Sequence, residues 1–143
     1  MINGTDFVNR WMAAVIGGDV ESLVAMCQLD VVLANPEGDF RGAEGVRAAF
    51  EPIIGATSER SVEIRNIVEE GDTVVADFVF RFRNSGPLQT PQGAIPPTEK
   101  KASLPSIATY VLREGKLAYS HGEYDRMSIL AQLGLLPAPV PAS

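Results

Sequence analysis

Two rhythms of hydrophobic residues divide this chain. Near the N-terminus apolar residues recur at helical spacing: Phe7, Trp11, Ala14 and Val15 stand four, three and one residues apart and share one face. The spacing predicts a helix over residues 6–16, with Thr5 as its cap, an acid in the first turn and Gly17 and Gly18 at its end. Asp19 reads as the cap of a second helix, 20–27, in which Leu23, Val24 and Cys27 share a face. A short strand over 30–35 follows and ends in the turn residues 36–39. Val46 and Phe50, four apart, predict a third short helix within 42–52.

From Ser61 the period changes to two. Residues 61–68 alternate, 69–72 have hairpin-turn composition, and 73–83 form a long strand. On that strand Ala76, Phe78, Phe80 and Phe82 make an aromatic wall, while Val75, Asp77, Val79, Arg81 and Arg83 share the other face. Residues 84–102 carry Pro87, Pro91, Pro96 and Pro97 beside Gly86 and Gly93, which excludes a central strand throughout. The segment reads as a lid or binding loop, or as a partly paired edge. Lys100 and Lys101 within it read as a solvated pair rather than an anion site. Strands are predicted over 103–113 and 117–124, joined by the turn 114–116. Asp125 then caps a last helix, 126–133, with Gly134 at its stop and Pro137 beyond it. Residues 137–143 read as a stiff, frayed tail.

Helices first, then hairpin-linked strands, define an α+β domain: three N-terminal helices packed on a curved, mostly antiparallel sheet that encloses an apolar pocket, with a short C-terminal helix. A length of 143 residues fits a single domain over 1–143. Composition, with 45% hydrophobic and 21% charged residues, is that of an ordinary globular protein. The net charge of -6 argues against a nucleic-acid partner, because phosphate binding needs a basic excess. No apolar run reaches the roughly 18 residues of a membrane span, and no basic region leads into an apolar run as a signal peptide would. The lone Cys27 cannot form an intramolecular disulfide, which fits a cytoplasmic location, and it reads as a small buried hydrophobe rather than a nucleophile.

Possible chemistry concentrates near the C-terminus, where the only histidine, His121, stands with Glu123, Tyr124 and Asp125. These residues suggest a small-molecule acid/base site. Trp11 reads as core rather than as a stacking platform.

Several segments together resemble the SnoaL-like polyketide cyclase, or ester cyclase, family. They are residues 10–19, the Asn35–Gly38 turn, Gly71 with Asp72, the Ile-Pro-Pro-Thr run at 95–98, Gly115 with Lys116, and the 125–134 segment ending Gln-Leu-Gly. The family belongs to the cone-shaped α+β barrel superfamily that also holds ketosteroid isomerase and limonene epoxide hydrolase. The resemblance implies a cyclase or isomerase of secondary metabolism that acts on a polyketide-like or polycyclic molecule without metal or cofactor. The relatives' general base, an aspartate three residues before the helix-capping aspartate, falls on Gly122. A hydrolase arginine and aspartate fall on Phe78 and Phe80, the isomerase's oxyanion tyrosine on Trp11, its base on Asn35 and its second acid near Ala108.

On this resemblance Asn35 and Ser106 are polar substrate contacts, and strand alternation sets Ser106, Ala108 and Tyr110 beside Ser120, Gly122 and Tyr124 on the pocket side. The expected substrate contacts are therefore Asn35, Trp11, Phe78, Phe80, Ser106, Tyr110, Ser120 and Gly122. With the family base replaced, Asp125, His121 and Tyr124 are the candidate catalytic groups, although alternation points His121 and Glu123 away and Asp125 reads first as a cap. The remaining readings are a binding or accessory protein that kept the pocket, and an epoxide hydrolase-like or diverged enzyme. Relatives imply a homodimer or higher homo-oligomer, and the Val75, Asp77, Val79 and Arg81 face would suit such an interface.

Overall fold

In the computed structural model, which describes residues 3–136, helix α1 runs from Gly4 to Ile16 and α2 from Val20 to Ala25. The cap of α1 is Asn3 rather than Thr5: Asn3 has extended backbone angles, and its Oδ1 accepts from the Asp6 N–H at 2.8 Å. Thr5 lies inside the first turn, where its N–H and hydroxyl both donate to the Glu69 carboxylate. Asp19 caps α2 as its spacing suggests, accepting from Ser22 N at 3.1 Å. Cys27 does not end that helix but opens strand β1, Cys27–Asn35.

Strand β2, Gly38–Arg41, pairs with β1 across a tight turn in which Gly38 takes a φ of 128°, a value that favours glycine. Helix α3, Gly42–Ala56, continues past Pro52. Pro52 removes one backbone bond to the carbonyl of Ala48, but both residues are exposed, so water can take over that carbonyl.

The remaining elements are β3 (Thr57–Glu70), β4 (Thr73–Asn84), β5 (Leu88–Thr90), β6 (Gly93–Ile95), β7 (Lys101–Arg113), β8 (Lys116–Tyr124) and α4 (Arg126–Gln132). Strands β3 and β4 are longer than alternation alone suggests because breaks in their register, between Ser58 and Ser61 and between Ile64 and Asn66, let pairing resume after each irregularity. The curved main sheet has the order β2-β1-β8-β7-β4-β3, antiparallel except for β1 against β8. The proline-rich segment forms the small β5–β6 hairpin. Its base is held by Asn84, fully buried, which donates to the carbonyls of Ala56 and Gly86 and accepts from the Thr98 N–H and hydroxyl.

One sheet face carries the core. Phe7, Val8, Trp11 and Met12 of α1 meet Val74, Ala76, Phe80 and Phe82 of β4. Strand β8 stops where Tyr124 faces Ser106, leaving the edge of β7 open beyond that point. The Gln132 amide closes it like a strand residue, donating to the Ser103 carbonyl at 2.9 Å and accepting from Ser103 N at 2.7 Å. This bond is a physical reason for the glutamine in the Gln-Leu-Gly run. The tail 137–143, with Pro137, lies outside the described residues. No helix among them is long and apolar enough to cross a membrane.

Candidate functional site

Between the helices and the concave sheet face lies a cavity of about 140 Å³. Its wall is mostly hydrocarbon and aromatic: Trp11, Met12 and Val15 from α1, Ala49, Phe50 and Ile53 from α3, and Phe78 and Phe80 from β4. Polar groups enter from three strands. Asn35 comes from the end of β1, Ser106 and Tyr110 from β7, and Ser120 and Tyr124 from β8, with Gly122 between the last two.

Register explains this set. Ser106 pairs with Tyr124, Ala108 with Gly122 and Tyr110 with Ser120, so all six share the cavity face. Gly122 is not forced by its backbone, which avoids positive φ. A Cβ there would approach nothing nearer than the Ala108 Cβ at 3.9 Å. The position is a side-chain slot left empty.

The charged residues of the same strand go the other way. His121 and Glu123 are 50% and 60% exposed and meet each other, Nε2 to Oε1 at 2.7 Å. Glu123 borders the cavity, but its carboxylate is engaged by His121 on the outer side. Asp125 accepts from Ser128 N at 3.2 Å and caps α4; neither it nor His121 lines the cavity. Of the three candidate catalytic groups, only Tyr124 reaches the cavity. No three His, Cys, Asp or Glu side chains converge as a metal site among the described residues.

Around Tyr124 a small polar rim forms. Its hydroxyl donates to Glu37 Oε1 at 3.4 Å, and Arg126 Nε pairs with the same oxygen at 2.9 Å. Burial, then the adjacent Glu37 charge, pushes the Tyr124 phenol up to about 12, so it stays a neutral donor. Asn35 Oδ1 accepts from Glu37 N at 2.8 Å in an Asx-type turn. Its amide N–H pair is therefore what Asn35 can offer a ligand.

Deeper, Tyr110 is 3% exposed and packs on Phe7 and Trp11 at ring distances of 5.8 and 6.2 Å. Burial raises its phenol well above the usual range. Trp11 combines the core reading with a second role, because it also makes an edge contact with Phe50 at 5.6 Å and borders the cavity. Burial raises the Cys27 thiol to about 12, and Sγ bonds the Leu23 carbonyl at 3.2 Å, which fits an inert core residue.

Sequence reasoning missed the α3 wall, Leu33 and the Glu37–Arg126 rim. Leu33 stands two before Asn35 and shares its face by alternation. Ile53 extends the Phe50 stripe once the helix is allowed to continue past Pro52. Glu37 had only turn chemistry to mark it.

The chain matches a family model described as a SnoaL-like domain over residues 8–120. Among solved structures it is similar to TsrD from Streptomyces laurentii, at 28% identity and a TM-score of 0.78, covering 92% of this chain and 95% of that one. A candidate SnoaL-like polyketide cyclase from Jannaschia sp. CCS1 superposes with a TM-score of 0.80 at 16% identity, over 93% of this chain and 92% of the other. IdmH, a candidate polyketide cyclase from Streptomyces antibioticus, gives 0.74 at 23% identity, over 91% and 97%. No curated protein matches significantly in sequence.

Proposed function

Because the chain belongs to the SnoaL-like domain family, we propose that it takes a polyketide-like or polycyclic apolar molecule into this cavity and assists a cyclisation or isomerisation there, without metal or cofactor. The observation that carries the reading is the wall itself: hydrocarbon and aromatic faces interrupted by the Asn35 amide and phenol and serine hydroxyls, with an empty slot at Gly122. Such a wall positions a flexible substrate in a folded conformation, and positioning alone can supply a large share of a ring-closure barrier. Donors aimed at a substrate carbonyl also favour the enolate that ring closure passes through. Near the rim, Asn35 offers its amide N–H pair for this, and the Tyr124 hydroxyl can do the same by leaving its long 3.4 Å bond to Glu37.

Size matters here. A 140 Å³ space is close to the roughly 150 Å³ that admits a single benzene ring in a protein core. A polycyclic ligand would seat one ring and leave the rest toward the Tyr124 rim. The test is conversion of candidate polyketide intermediates by the purified protein. Wild type is expected to change the product distribution, and Asn35→Ala or Tyr124→Phe to lose turnover beyond their loss of affinity. Unchanged products would count against catalysis.

A second reading, a binding protein that kept the pocket, is favoured by the absence of a cavity-facing carboxylate at Gly122. It predicts binding without conversion. Pairing of two copies through the outer sheet face belongs to the same proposal, supported by Ile107 and Tyr119, which leave 50% and 39% of their surface exposed there. Sedimentation should then give twice the chain mass, and a monomer at micromolar concentration would oppose it.

A further inference from the structure

We propose that Tyr110 and Trp11 form the recognition end of the cavity, and that the ligand group seated there is an uncharged ring bearing an acceptor oxygen such as a carbonyl. The inference deepens the small-molecule reading above and rests on it for there being an occupant at all.

Both side chains are 3% exposed, and neither the Tyr110 hydroxyl nor the Trp11 indole N–H makes a hydrogen bond among the described residues. Yet no fully sealed side-chain nitrogen or oxygen lacks a partner among those residues. Both polar atoms therefore keep some open surface, and the free space both residues border is the cavity. Their rings lie 6.2 Å apart, within the span of one small ring. An indole N–H can only donate, so the partner that satisfies it is an acceptor, and a phenol hydroxyl can donate to the same oxygen.

Position and charge narrow the group further. Ser106 and Tyr110 stand four residues apart on the same face of β7, which separates them by about 13 Å. The Ser106 end meets half-buried Tyr124 and its rim, so Tyr110 marks the closed end. Among the described residues, no lysine, arginine or histidine lines the cavity. A carboxylate or phosphate would lose its hydration there with no counter-charge in return. Burial keeps the Tyr110 phenol protonated, so it remains a donor.

Trp11 is the only tryptophan of the chain, so its indole N–H gives one isolated nitrogen–proton NMR peak. The full-length labelled protein is titrated with cyclohexanone, with its isostere methylenecyclohexane and with cyclohexanecarboxylate. The expected result is a saturable shift of the indole peak with cyclohexanone and about thirtyfold weaker binding of methylenecyclohexane, the ratio two uncharged hydrogen bonds of about 1 kcal/mol each give. The carboxylate should not bind. In Tyr110→Phe the cyclohexanone preference should shrink to about fivefold, the Trp11 bond remaining, while methylenecyclohexane affinity stays unchanged, which also reports that the variant is folded. Equal binding of ketone and isostere in wild type, binding of the carboxylate, or a preference untouched by Tyr110→Phe would each overturn the inference and leave the small-molecule reading standing. Failure of all three probes to move the peak would overturn both.

Discussion

Strand β8 presents two faces that differ by a single residue step. On one, Tyr119, His121 and Glu123 meet solvent and the last two meet each other; on the other, Ser120, Gly122 and Tyr124 line an apolar cavity. In sequence these are one cluster, the densest concentration of titratable chemistry in the chain. In space the charges are on the outside, and the cavity keeps hydroxyls and an empty slot. Strand period decides which groups can act on a buried ligand, and nearness in sequence does not.

The sharpest way to test this division is to place the same carboxylate on each face. Gly122→Asp puts one in the cavity, where no cation among the described lining residues offsets its desolvation. Its folded pKa rises above the unfolded value near 3.9, so the cost is absent at low pH and grows as pH rises through that value toward the raised one. A loss of about 2 kcal/mol at pH 8 relative to pH 4 is expected by denaturant unfolding against wild type. His121→Asp, one residue along, should show no such pH-dependent loss.

A smaller effect comes from Asp125, whose observed bond is a helix cap. Asp125→Ala should cost about 1 kcal/mol of stability by denaturant unfolding, and ligand affinity per folded molecule should not change. Loss of affinity at full folding would return Asp125 to the site. Tyr124 gives an alkaline signature. Its folded phenol titrates at about 12 against an unfolded value near 10, so the unfolded chain loses the proton first and stability falls as pH rises from 10 toward 12. Tyr124→Phe should make that fall shallower, the buried Tyr110 phenol supplying the remainder, as measured by unfolding at a series of alkaline pH values. The smallest effect is expected for His121→Ala, within about 0.5 kcal/mol and without change in turnover, because an exposed side-chain contact of this kind contributes little.

Much of this arrangement is legible in the sequence. Period-two alternation separates the two faces of β7 and β8, and the helix-first, hairpin-later order yields the layered α+β architecture. What alternation could not carry was anything set by a distant partner. Asn3 rather than Thr5 caps α1 because Glu69, far along the chain, engages Thr5. Helix α3 outlasts Pro52 because that turn faces water, which the residue itself does not reveal. Glu37 acquires its place beside Tyr124 and Arg126 only when the β1–β2 turn folds against the end of β8. The short β5–β6 hairpin likewise depends on the buried Asn84 hub, a polar residue whose role emerges only with Ala56 and Thr98 in place.

Leucine substitutions at neighbouring β8 positions probe the central claim most directly. Native mass spectrometry of one polycyclic polyketide intermediate bound to wild type, Gly122→Leu and His121→Leu compares the two faces on a single ligand. A leucine at 122 has a free path into a 140 Å³ space and should fill most of it. Binding is expected to weaken at least tenfold, about 1.4 kcal/mol or more, in Gly122→Leu and to stay within about twofold of wild type in His121→Leu. Retained binding in Gly122→Leu together with loss in His121→Leu would place the ligand on the outer face and contradict the cavity as the site.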